Sequence, residues 1–251
     1  MGRLGEQEHT LAENFLRYFD ITFAATARQK SEVFGIRYSV YCDEFKYEPA
    51  HLFPNHEEKD EFDDASLHAL VLHKASGIPA GCVRLVVPDA EQGRADLPFE
   101  KNCSNSLDEE FIAGLNIDRS TVCEISRLAV DGAFRRREGE KITRFGEVEG
   151  LDCTHQERRT FSLIAVACFL ASTAMTDITG RTNVFAMMEP FLPRLLKRSG
   201  IAFKRAGQDI DYHGLRAPYF ITTQSAVDNM RPDLKELYTE IHSRISQNFP
   251  R

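Results

Sequence analysis

Hydrophobic and polar positions alternate with two different periods along this chain, and the switches between them predict its elements. Leu11 to Arg17 carries helical spacing, whereas Phe19 to Ala24 (FDITFA) has the period of a strand. Thr26 is placed to cap a helix running to about Phe45, in which Val33, Ile36, Val40 and Tyr41 share one face. Leu67–His73 and Ala80–Val87 are predicted strands, with Ser76-Gly77-Ile78-Pro79 as the hairpin turn between them. A further strand is expected at Thr121–Val130, then a helix from about Glu157 to Thr176 around the apolar run Phe161–Ala171. Val184–Met188 predicts a strand leading into a helix that opens at Pro190 and closes at Gly200. Short strands at Ala202–Lys204 and Tyr219–Thr222 and a helix over Asp233–Ser246 complete the pattern. Lys46–Ala65 and Pro88–Arg119 are expected as irregular segments, the second anchored by Phe99, Phe111 and Leu115. Strands alternating with helices, some strands in hairpins, predict an α/β (α+β) domain with a mixed central sheet and helices on both faces. No Pro/Gly/Ser linker and no internal repeat divides residues 1–251, so one domain is expected.

The strand Thr121–Val130 (TVCEISRLAV) breaks its own pattern. Glu124, Ser126 and Arg127 stand where a buried strand carries valine or leucine. In a regular pleat Glu124 and Ser126 share a face and Arg127 points to the other, so only a bulge or splay aims Glu124 and Arg127 together. One reading is a buried Glu–Arg pair tying strand to helix. The other is a chemical site, and the second strand supports it: Gly81-Cys82-Val83-Arg84-Leu85 again sets one arginine among apolar neighbours. Within the acidic segment, Asp60-Glu61-Phe62-Asp63 brackets an aromatic with carboxylates, a pattern that suits a cationic group or a solvated loop face. His51 and His56 beside Glu57 and Glu58 match no zinc spacing, and no metal is expected.

A net charge of −7 argues against nucleic acid as partner, since grip on phosphate needs a basic face. The N-terminus lacks a signal-peptide pattern, and the apolar run Phe161–Ala171 is far short of the about 20 residues needed to span a bilayer. A cytoplasmic protein that does not cross the membrane is therefore expected. Six cysteines, at 42, 82, 103, 123, 153 and 168, form no C-x-x-C pair and are expected as reduced, buried thiols.

Taken in order, five motifs resemble the acyl-homoserine-lactone synthases and their relatives, the N-acyl amino acid synthases and the acyltransferases encoded with PEP-CTERM/exosortase systems, to which the chain is most similar. They are Arg37 with aromatic Tyr41 and Phe45, the D-x-aromatic-D of Asp60 to Asp63, G-C-x-R-L at Gly81 to Leu85, E-x-S-R at Glu124 to Arg127, and Met188 to Gly200 (MEPFLPRLLKRSG). The resemblance covers about residues 19–207, leaving residues 208–251 as a C-terminal extension. It implies a GNAT-like acyl-CoA N-acyltransferase fold and transfer of a fatty acyl group to the amino group of a small acceptor. The donor would be an acyl carrier protein, through its phosphopantetheine thioester, or an acyl-CoA, with no cofactor bound. Glu124 would be the general base, acting through a water. Arg37, Arg84 and Arg127 would order the loop and the acceptor's carboxylate, Asp60 and Asp63 would hold its positive end, and Tyr41, Phe45 and Ser126 would complete the substrate site.

The chain has no tryptophan, where the lactone synthases use one near the amino substrate, so Phe45 or Tyr47 would have to serve. That difference and the extra length favour the N-acyl amino acid or exosortase-associated branch over S-adenosylmethionine as substrate. The basic run Arg135-Arg136-Arg137 with Lys141 suits docking of an acidic carrier protein. The same stretch also carries a partial R-x-x-G phosphate loop, which would mark a coenzyme A-dependent acetyltransferase. A non-catalytic acyl-lipid or carrier-binding protein is the third reading. The Phe161–Ala171 helix, with Phe185, Met187 and Met188, would either line an acyl pocket or belong to the core.

Overall fold

The structure, a computed structural model, describes residues 9–88, 95–135, 157 and 160–250. Helix α1 (Leu11–Tyr18) is held at its start by a capping box of Thr10 and Glu13 and runs directly into β1 (Phe19–Phe23). Thr26 and Gln29 form a second capping box that opens α2 (Ala27–Arg37). The hairpin β2 (Leu67–His73) and β3 (Pro79–Val86) follows, then two short helices, α3 (Pro98–Cys103) and α4 (Glu109–Leu115), and β4 (Val122–Val130). The second half contributes α5 (Leu163–Ile178), β5 (Asn183–Met188) and α6 (Leu192–Arg198). Two-residue strands β6 (Lys204–Arg205) and β7 (Ile210–Asp211) precede β8 (Leu215–Thr222), α7 (Thr223–Asn229) and α8 (Pro232–Asn248).

The sheet order is β1-β2-β3-β4-β5-β8-β6, with β7 added to β8. Every pairing is antiparallel except β4 with β5, so the sheet is mixed as expected. Strand alternation divides the core between the two faces. Ala69, Val71, Val83, Leu85, Cys123, Val184 and Ile221 pack with α1, α5 and α8, while Leu70, Cys82 and Ala129 pack with Val33, Phe34 and Ile36 of α2. A third cluster, with Phe62, Val86, Phe99, Val122, Phe185 and Phe220, extends the α2 face toward β5 and β8. Gly81 explains itself here, because a Cβ at that position would lie 2.7 Å from Ile164 and 3.1 Å from the Cys168 sulfur of α5. Gly200, at φ +87°, ends α6 against the backbone of Asn229, where no side chain fits.

Three expectations change. The helix after Thr26 is α-helical only to Arg37 and continues as a π-helix over Tyr38–Glu44, closed by the Phe45 N–H on the Val40 carbonyl. The last long strand begins at Leu215, four residues before Tyr219. Helices α3, α4 and α7 were not visible in the pattern, because six or seven residues hold too few turns to show an apolar period. The apolar α5 run is core, its buried side chains packed against the sheet and α8. Among the described residues no helix is long and apolar enough to cross a membrane. Five cysteines are free and buried; Cys153 lies outside the described residues.

Candidate active site

The break in the strand pattern is a β-bulge. Arg84 pairs with Ser126 and Cys82 with Ala129, so Val83 alone faces both Arg127 and Leu128, and Arg127 takes φ +51°. The extra residue reverses the parity of β4. Val122 packs on the α2 face before the bulge, and Ala129, not Val130, does so after it. Glu124, Ser126 and Arg127 thereby converge on one face, joined by Arg84 from β3. Tyr41, carried by the π-helix, fastens the bulge by donating its hydroxyl to the Leu128 carbonyl at 3.0 Å.

Beneath the acidic segment, three arginines meet three carboxylates. Arg37 is fully buried and binds Glu58 through Nε and Asp63 through both terminal nitrogens, at 2.6 and 2.9 Å. Arg84 donates to Asp60 at 2.6 Å, to Asp63 at 3.0 Å and to the Ser126 hydroxyl at 3.1 Å. Arg127 approaches Glu58 and Asp60, each at 3.3 Å, with its guanidinium over the Tyr41 ring. Burial works against the Asp63 carboxylate, but its bonds to Arg37 and the charges of Arg37 and Arg84 hold it well below the usual range. His68 sits next to this cluster, 3.7 Å from Asp63, and burial pulls it down to about 4, so it is neutral at neutral pH.

Glu124 stands apart from that compensation. It is buried and forms no ion pair among the described residues; its partner is the Phe99 backbone N–H at the start of α3, 2.8 Å from Oε2. Desolvation pushes Glu124 up to about 8, against the Phe99 N–H and the charges of Arg84 and Arg127. Its place in the sheet matters equally. The parallel ladder between β4 and β5 runs from Val122/Asn183 to Glu124/Phe185 and stops, although both strands continue. The gap beyond Glu124 opens into a cleft of about 60 Å³. Tyr41, Tyr47 and Glu48 line it from the π-helix side, and Tyr212, His213 and Arg216 from the C-terminal hairpin.

Of the residues expected at a site, Glu124, Ser126, Arg84, Arg127 and Tyr41 line this cleft. Arg37, Asp60 and Asp63 are brought to the ion cluster behind it, where the carboxylates are occupied by arginines and order the segment. Of the two aromatics expected near an amine, Tyr47 lines the cleft and Phe45 stacks behind it at 5.4 Å. Arg135 departs from its expected docking role: it is buried, donates to the Val130 carbonyl at 2.6 Å, pairs with Glu44 and covers the Phe45 ring. A guanidinium held this way anchors the turn after β4 and presents no charge to a carrier protein. Arg136, Arg137 and Lys141, and with them the partial R-x-x-G loop, lie outside the described residues. Among the described residues Glu124 also has no arginine in an ion pair, the partner that a purely structural reading required. No group of three or more His, Cys, Asp or Glu is placed to hold a metal among the described residues, and His56 stacks on Tyr38 at 4.7 Å.

Sequence reasoning missed Glu58 as the partner of Arg37, and missed Tyr212, His213 and Arg216. Nothing in the run of acids distinguishes the one that turns inward. Arg216 had a signal: on a strand extended back to Leu215 it shares the parity of Phe220, which packs on the site face.

Residues 36–144 match the family model described as Acetyltransferase (GNAT) domain. Among solved structures, TofI in a ternary complex with an inhibitor and MTA is 20% identical, covering 86% of this chain and 99% of its own, with a TM-score of 0.56. BjaI, described as a CoA-dependent acyl-homoserine lactone synthase with SAM and isopentyl-CoA, is 15% identical, covering 93% and 95%, with a TM-score of 0.58. FeeM, an N-acyl amino acid synthase from uncultured soil microbes, is 10% identical, covering 87% and 97%, with a TM-score of 0.54. No curated protein matches the sequence. The chain has the GNAT fold that these structures share, and the domain match over residues 36–144 supports an acyltransferase.

Proposed function

We propose that this protein is an N-acyltransferase that moves a fatty acyl group from a thioester to the amino group of a small amino acid-like acceptor. The observation that carries this reading is Glu124, a buried carboxylate raised to about 8 where the β4–β5 ladder ends. An amine attacks only when deprotonated, and a carboxylate raised to that range is well matched to accept a proton from an ammonium. The acceptor occupies the cleft beside Tyr41 and Tyr47 and gives its proton to Glu124, directly or through one water. The free amine then attacks the thioester carbonyl, forming the C–N bond. Backbone N–H groups freed where the strands part would hold the resulting oxyanion. Collapse breaks the C–S bond, and the leaving thiolate takes up the second proton of the attacking nitrogen, which leaves a neutral amide.

The arginines and carboxylates behind the cleft give the nucleophile's site a rigid wall. The donor is a thioester of acyl carrier protein or of coenzyme A; the description of BjaI as CoA-dependent supports the second. Trading the lactone synthases' tryptophan for Tyr47 supports an amino acid over a sulfonium acceptor. This reading is tested by mass spectrometry of lipid extracts from bacteria overexpressing the protein beside a Glu124→Gln control. New N-acyl amino acids or acyl lactones, absent from the control, are expected. With purified protein, turnover should fall about 10²- to 10⁴-fold in Glu124→Gln, and the wild-type rate should climb with pH toward about 8, as the carboxylate forms. Undiminished turnover in Glu124→Gln would remove the base from the mechanism.

A further inference from the structure

We propose that Arg216, on the C-terminal hairpin, is the specificity-determining residue that binds the carboxylate of the acceptor, and that the acceptor is therefore an amine bearing a carboxylate. The inference rests on the acyltransferase reading above and deepens it.

Charge balance separates Arg216 from the other guanidinium groups around the cleft. Arg84 and Arg127, with Arg37, already face Glu58, Asp60 and Asp63 in the cluster behind, and Arg127 also lies 3.6 Å from Glu48. An anion arriving at Arg84 or Arg127 would compete with carboxylates already in place. Arg216 makes no ion pair with any carboxylate among the described residues. Its Nε–H donates to the Tyr212 carbonyl at 2.8 Å and a terminal nitrogen reaches the His213 carbonyl at 3.4 Å. Those bonds fix the direction of the planar group yet use two of the five N–H donors a guanidinium carries.

The fold aims this group deliberately. On β8, Ala217, Tyr219 and Ile221 join the core of the α5 and α8 face, so Arg216 and Phe220 are turned to the face that carries Glu124. The hairpin is built to present it: β7 pairs with β8 through Ile210/Arg216 and Asp211/Leu215, and His213 and Gly214 turn the corner at φ +54° and +93°. Glu124, protonated at neutral pH, adds no charge against an anion at Arg216. A planar, pre-oriented guanidinium matches the two oxygens of a carboxylate.

The test compares binding of N-dodecanoyl amino acids with that of the corresponding N-dodecanoyl amino acid amides, by isothermal titration across a panel of side chains. Wild-type protein should bind the tightest carboxylate ligand about tenfold more strongly than its amide, the scale of one charge-assisted hydrogen bond. In Arg216→Gln the carboxylate should fall to the level of the amide while binding of the amide is unchanged. Arg216→Lys keeps the charge but loses the Nε–H brace, so it should retain part of the preference; a merely structural arginine would lose it in both variants. Equal binding of acid and amide by the wild type, or a preference that survives Arg216→Gln, overturns the assignment and leaves the acyltransferase reading intact. If no N-acyl ligand of either kind binds, the acyltransferase reading falls and this inference with it.

Discussion

The ion cluster beneath the acidic segment and the cleft beside Glu124 share Arg84 and Arg127, yet they hold charge in opposite ways. In the cluster every guanidinium is met by carboxylates, Glu58, Asp60 and Asp63 with Glu48 beside Arg127. In the cleft, among the described residues, Glu124 is buried without an ion pair, and Arg216 forms no ion pair with a carboxylate. Closure makes the first region a fastener: it pins a proline-broken segment onto α2, β3 and the bulge of β4. Imbalance makes the second region reactive, since a group whose charged form is poorly solvated gains most from a ligand that supplies or removes charge.

The largest stability effect should come from unbalancing the cluster. Arg37→Ala leaves Glu58 and Asp63 buried without their main partner, and a loss of about 3–5 kcal/mol is expected in urea unfolding. A loss no greater than that of an exposed pair would show that the cluster is not closed. Glu124 should behave in the opposite sense. Its native pKa lies above the unfolded one, so the native state binds more protons between them and wild-type stability falls as pH rises from about 4.5 to about 8. Glu124→Gln abolishes that term, and the variant should gain on the wild type by on the order of a few kcal/mol at pH 9 relative to pH 5. Parallel unfolding curves for the two proteins across that range would mean that Glu124 is not buried as described. The smallest effect sharpens the comparison from outside both regions. Gly81→Ala presses a methyl against Ile164 and Cys168 on the opposite face, at a cost of about 1–3 kcal/mol, with the acceptor's KM unchanged. A shifted KM would mean that β3 transmits strain through the sheet to Arg84.

Much of the site was legible because its residues violate a local rule. Glu124 and Arg127 cannot share a face of a regular strand, and that contradiction alone called for the bulge found between Ser126 and Ala129. Arg84 stood out in the same way. The acidic segment was legible as a block but not residue by residue. Glu58 and Asp63 turn inward while Glu61 meets Lys101 at the surface, a sorting made by contacts with α2 and β3 and not by any period in the segment. Arg135 was misread because a run of like charges hides the one member that folds back onto Glu44.

Alternation and capping are local properties, so the sequence by itself determined the long helices, the β2–β3 hairpin, the mixed sheet and the charged strand at its centre. Strand pairing and the approach of the C-terminal hairpin depend on residues far apart in the chain, such as Tyr47 against His213, and only the tertiary structure decided them. It placed the end of the β4–β5 ladder at Glu124, gave that carboxylate the Phe99 N–H in place of an arginine, and brought Arg216 to the same cleft. The physical reason is that desolvation and charge compensation are sums over everything within a few ångströms, and those neighbours are chosen by the fold, not by the chain's local order.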